Sequence, residues 1–193
     1  MFDAVALATW IAFCIPSADP AIATALVMAG SGGAPALIAD KEGQALPART
    51  ALQADQDTYV GLTQIPAKQL RARGIPLIVA LNPCVNLMLG WQLWSTAHLR
   101  AKVQQPSQWK AVSLAFSMYH DHQAVLETPF SKKATDLAIK HVPVAPARPG
   151  SRLYNEVASV WANGQAHLLR LEMSDSALGQ SQALAATARV SAE

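Results

Sequence analysis

Charge is scarce in this chain. Asp, Glu, Lys and Arg together make up only 15% of its 193 residues, and the formal net charge is +2. No basic stripe interleaved with aromatics is present, and aromatics amount to 6%; both points argue against a nucleic-acid interface. Cysteine is rarer still, with Cys14 and Cys84 alone. Without further cysteines or well-placed histidines they make no zinc site. They are either two buried thiols acting as small hydrophobes or one disulfide. A run long enough to span a bilayer is also missing: the apolar start, MFDAVALATWIAFC, is too short. That start lacks a positive leader region, carries Asp3 and has no small-residue cleavage site at Phe13–Cys14. It reads as a first core helix, and no export signal is visible. No internal repeat is present, and no cofactor is implied.

Hydrophobic residues are plentiful, at 51%, with abundant alanine and little β-type alternation, so the expectation is a mainly α domain. One domain over 1–171 followed by a flexible tail over 172–193, rich in Ser, Ala and Gln, accounts for the length. Asp19-Pro20 starts a helix over Ala21–Ala29 that stops at Gly30-Ser31-Gly32-Gly33. Residues 34–58 read as a loop, with a β-hairpin around Ile38–Ala45 and a short helix over Ala48–Asp55. A helix over Ala67–Arg73 is stopped by Gly74, and Ile75–Leu81 is an apolar connector. Asn82-Pro83 opens the long helix to Val103, whose Val85, Met88, Leu89, Leu93, Trp94 and Leu99 form its core face. Gln108–Tyr119 is the next helix, 123–150 reads as a linker or wrapping loop, and Arg152–Leu171 closes the domain.

The most informative stretch is Tyr59–Leu87, with a Gly61-Leu-Thr-Gln-Ile65 turn and an Asn82-Pro-Cys-Val-Asn-Leu87 helix start. A glycine followed by an amide side chain lets backbone and Gln64 approach a polar ligand, although a purely structural turn explains the same residues. Together the two segments resemble the second and third motifs of the lytic transglycosylase domain (goose-lysozyme-like), in the branch that accompanies type IV secretion and conjugation. The resemblance covers roughly residues 14–170. It implies a lysozyme-like helical fold, small strands in the 34–58 region, and a glycan cleft lined by Ser31, Gly61, Gln64 and Tyr119, with Asn86 fixing the turn beneath. Cysteines at positions 14 and 84 are usual in that branch, which favours the disulfide and an oxidising envelope compartment such as the periplasm.

The family cleaves the MurNAc–GlcNAc bond with one glutamate at the end of the second helix, first as acid and then as base. The matching position here is Gly30, and no acid lies between Asp19 and Asp40. The asparagine after the family's last tyrosine is replaced by His120. The resemblance therefore implies a catalytically degenerate protein that binds peptidoglycan glycan strands, with secretion-apparatus proteins as further partners. An active lyase using an unrecognised acid (Asp40, Glu42, Asp55 or Asp57), and a protein-interaction module with a vestigial cleft, are the alternatives. His120 and His122, two apart at a helix end, do not face together as metal ligands.

Overall fold

The computed structural model describes residues 1–35, 37–40, 44–46 and 58–164. Within them, helix starts follow one chemical device repeated along the chain. Asp3 caps α1 (Ala4–Cys14) by accepting from the Ala6 amide, and Asp19 caps α2 (Pro20–Gly30) by accepting from the Ala21 and Ile22 amides. Asn82 does the same for the Cys84 and Val85 amides at the head of α5 (Pro83–Gln104), with proline at the first helical position as in α2.

Between α2 and α5 lie three two-residue strands, β1 (Ile38–Ala39), β2 (Tyr59–Val60) and β3 (Ile65–Pro66), paired antiparallel in the order β1-β2-β3. Ile38 pairs with Val60, and Val60 with Ile65. Ala39 also bridges to Ala45, so the chain turns back on itself just where a hairpin is expected. Then come α3 (Ala67–Ala72) and α4 (Leu77–Ala80); the second occupies part of the expected connector. Pro76 supplies its entry, leaving the Leu77 and Ala80 side chains buried. After α5, α6 (Gln108–His120) packs back along it. The fold is thus mainly α with one small antiparallel sheet.

Two sequence expectations need correction. The segment read as a linker over 123–150 contains an 11-residue helix, α7 (Pro129–Ile139), started by a Thr128/Ser131 capping box. Phe130, Ala134 and Ala138, spaced by four, are the face it buries against α2 and α6. Leu99 was assigned to the core face of α5, yet it is 68% exposed, because the packing neighbours of α5 follow Trp94, Ala97 and Ala101 instead. The closing helix α8 is described over 152–164 and buries Val157. The expected 48–55 helix, Glu42, Asp55, Asp57 and the 172–193 tail lie outside the described residues.

The first two-thirds of α5 contribute to every part of the core. Trp94 packs with Leu26, Phe116 and Phe130; Leu87 packs with Trp10, Val27 and Val157; Val85 and Leu89 pack with Val60, Ile65 and Leu70. A disulfide joins Cys14 to Cys84 with a Cα–Cα distance of 5.3 Å, tying the end of α1 to the first turn of α5. Residues after α7 run extended across α1, where the Ala147 amide donates to Thr9 Oγ1 at 2.8 Å. No helix among the described residues is long and apolar enough to cross a membrane.

Candidate functional site

The turn over 61–64 is built from two left-handed residues, Gly61 (φ 75°) and Gln64 (φ 53°). Gly61 is there because of its neighbour: a Cβ at this position would run into the Asn86 side-chain amide. Asn86 is fully buried and uses its whole hydrogen-bonding capacity on the turn and its surroundings. Its Oδ1 accepts from the Thr63 amide and the Thr63 hydroxyl, both at 2.8 Å. Its Nδ2 donates to the Val60 carbonyl at 2.9 Å and the Ala80 carbonyl at 3.0 Å. Asn86 thus fixes the turn from below.

The turn is also held from α2 and α6. Ser31, at the C-terminal cap of α2, donates its hydroxyl to the Leu62 carbonyl at 2.7 Å and receives the Gly33 amide at 3.2 Å. Tyr119, in the last turn of α6, donates to the Thr63 carbonyl at 2.8 Å. Burial pushes the Tyr119 phenol well above its usual range, so it stays neutral and acts as a donor. Gly30 closes the ring of contacts: a Cβ there would lie 3.0 Å from Gln64 Cγ. All six residues picked out from the sequence, Gly30, Ser31, Gly61, Gln64, Asn86 and Tyr119, therefore meet around one turn.

Their side chains point into the protein. Gln64 is 3% exposed, and its Nε2 donates to the Gly61 carbonyl at 2.7 Å and the Leu37 carbonyl at 3.2 Å. Its amide nitrogen is spent on two backbone carbonyls, one in the turn and one from the segment before β1. The expectation that Gln64 lines an open cleft with a free amide is not what this arrangement offers. Ser31 and Tyr119 are likewise buried and bonded to backbone carbonyls. Among the described residues of the cluster the one ionisable group is the phenol of Tyr119, held neutral by its burial.

The described carboxylates Asp19, Asp40 and Asp121 have other work. Asp19 caps α2, Asp40 accepts from the Gln44 amide in the hairpin, and Asp121 binds His120 Nδ1 at 3.0 Å and the Thr128 hydroxyl. A cation sits at the end of α2: Lys133 Nζ on α7 donates to the Ala29 carbonyl at 3.0 Å, one residue before Gly30. It satisfies a free carbonyl at the negative end of α2. His120 is a packing residue, stacked between Tyr59 and Phe130 at ring-centroid distances of 4.7 and 3.9 Å. Among the described residues no group of three His, Cys, Asp or Glu is placed to hold a metal.

Four participants were not singled out from the sequence. Thr63 is the hub of the turn, and Gly90, in the middle of α5, is the residue that makes room for it, since a Cβ at Gly90 would collide with the Thr63 side chain. A glycine inside a long helix is a readable sign of close approach, although not of which partner approaches. Lys133 belongs to the helix that was read as linker. Arg73 stands on the rim of a groove that Tyr119 also lines.

Comparison of the chain with protein-family models, with curated proteins and with solved structures finds no match in any of the three.

Proposed function

We propose that this protein is a glycan-binding relative of the lytic transglycosylases that lacks the bond-cleaving step, working in the cell envelope beside a type IV secretion or conjugation apparatus. The family reading rests on the motifs in the sequence. The observation that supports its silent form is the environment of Gly30. The position at which the family carries its acid has no side chain, the Gln64 side chain packs against it, and the Lys133 ammonium bonds the carbonyl of the preceding residue, Ala29. A proton donor is needed to expel a sugar oxygen, and its loss alone costs about 10²–10⁴ in rate.

The inward-turned amide of Gln64 favours a second reading, a protein-interaction module in which the former cleft serves only to brace the fold. Co-sedimentation with purified peptidoglycan, run beside a turbidity assay, separates the two. Sedimentation without clearing is expected. Clearing by the unaltered protein would refute the silent reading, and failure to sediment would leave the interaction module. The variant Gly30→Glu must push the Gln64 side chain aside; clearing gained by it would show that the missing acid alone silences the site.

A further inference from the structure

Away from the 61–64 turn, a channel of about 400 Å³ lies between α1, α2 and the extended residues 141–146. Residue spacing builds each wall. Ala4, Ala8 and Ala12 repeat at four along α1, and Pro20, Thr24 and Met28 repeat at four along α2, so each set forms one row on its helix. Val142, Val144 and Pro146 are every second residue of the extended segment and share its channel side. Pro143 and Pro146 remove two amide donors from that segment, and the Ala147 amide ties its end to Thr9 of α1.

The channel is long and thin. It is bordered by α1 from Asp3 to Ile15, a rise of about 18 Å. A volume of about 400 Å³ spread over about 18 Å leaves a cross-section of about 22 Å², or a width of about 5 Å. That is close to the spacing of neighbouring extended chains, so one unbranched chain fits and a fused ring does not. An extended chain advances about 3.5 Å over three bonds, and about fifteen bonds therefore span the channel. The walls along this length are mainly apolar, with Leu7, Ile11 and Ile15 beside the alanine row and Thr24 and His141 as polar interruptions. At the start of α1 the chemistry changes. The exposed Asp3 carboxylate, whose Oδ1 accepts the Ala6 amide at 2.7 Å, borders the channel there. It favours a cation, whereas the carboxylate of a free fatty acid would meet like charge.

We infer that the channel holds the acyl chain of a single-chain lipid with a cationic head, the chain lying along the alanine row of α1 and the head meeting Asp3. Apolar burial supplies the affinity, at about fourfold for each methylene, and the carboxylate supplies the choice of head. Alanine at positions 8 and 12 is what leaves the space, since a longer side chain on that row would enter it. The inference stands apart from the glycan-binding reading: the channel walls share no residue with the cluster around Gly30 and Gln64, and either can hold without the other.

The test is a titration of the full oxidised chain with lauroylcholine, neutral monolaurin and anionic laurate, each below its micelle-forming concentration, followed by backbone amide NMR shifts. Lauroylcholine is expected to shift the amides of Ala8, Ala12 and Val144 and to bind about threefold more tightly than monolaurin, with laurate weakest. Octanoylcholine, four methylenes shorter, should bind about two-hundredfold more weakly than lauroylcholine. Ala8→Leu and Ala12→Leu each put a side chain into the channel and should weaken lauroylcholine about tenfold or more. An unchanged amide spectrum away from α1 verifies their fold. Asp3→Asn keeps the helix cap, since Asn caps as well as Asp, and should erase the preference among heads without weakening monolaurin. Binding that both leucine variants leave intact, or shifts with none of the lipids, would overturn the channel assignment. Equal binding of the three heads would overturn the role of Asp3. Shifts of the same amides on dilution of the free protein would assign the channel to a second copy, and shifts with a peptide of residues 172–193 but with no lipid would assign it to the chain's own tail; either would overturn the lipid.

Discussion

Truncating Asn86 to alanine isolates the energy that holds the 61–64 turn. Asn86→Ala removes the acceptor of the Thr63 amide and the donor to the Val60 and Ala80 carbonyls, so three backbone groups lose a partner inside a fully buried site. The Thr63 hydroxyl loses least, since it already approaches the Asn86 carbonyl oxygen at 3.4 Å. A buried polar group left without a partner costs about 1–3 kcal/mol. A water entering the vacated space recovers part of that, which brings the sum to about 4 kcal/mol, in the upper tail of single substitutions. Urea unfolding of the oxidised protein followed by tryptophan fluorescence should show the midpoint fall with the slope unchanged. Asn82→Ala, which removes a helix cap and the bond to the Val160 carbonyl, is the internal control at about 2 kcal/mol. An Asn86→Ala loss no larger than that control would refute the reasoning. Asn86→Asp, which sets a carboxylate oxygen against the Val60 and Ala80 carbonyls, should be at least as damaging as alanine.

Gly90→Ala should destabilise the protein in thermal unfolding even though alanine is the better helix former by about 1 kcal/mol, because its Cβ meets Thr63; Gly90→Ala combined with Thr63→Ala should recover part of the loss. Reducing the disulfide, whose cysteines lie 70 residues apart, should lower stability by about 4 kcal/mol on the chain-entropy account, read as a drop in the urea midpoint with and without dithiothreitol. Stability should also fall in mild acid. Burial lowers the pKa of His120, and burial followed by Lys102 lowers that of His98, so the unfolded chain binds more protons than the native one. Their contribution is complete above the ordinary histidine pKa of 6.5 and is lost as pH falls below it through the lowered native values. Urea midpoints between pH 5 and 8 for the protein and for His120→Phe, which removes one of the two groups, check the sign; a midpoint rising toward pH 5 would contradict it.

The helices that announce themselves in sequence do so through chemistry local to their first turn. Asp19-Pro20 and Asn82-Pro83 each place a cap and a rigid first residue side by side, and both helices start there. Thr128-Pro129 is the same device, and the helix it starts was still missed, because Pro143, Pro146 and Pro149 beyond it give the whole stretch the composition of a linker. That residues 30, 31, 61, 64, 86 and 119 belong near one another is what the family resemblance implies, and they surround one turn. The direction of their side chains was not legible. Whether the Gln64 amide faces a ligand or the backbone depends on the left-handed conformation at Gln64 and on Leu37 reaching it from the residues just before β1, and neither is written into the residues around position 64.

The first turn of α5 gathers distant parts of the chain at one spot. Cys84 reaches back to Cys14, Asn86 to Val60, and Asn82 Nδ2 forward to the Val160 carbonyl at 3.3 Å. Each of these links closes a long loop, whose entropy must be spent before any contact rewards it. Oxidation before collapse draws two of these remote segments together in advance. The oxidised chain should therefore refold faster than the reduced one, with the head of α5 as the place where its folding nucleus assembles.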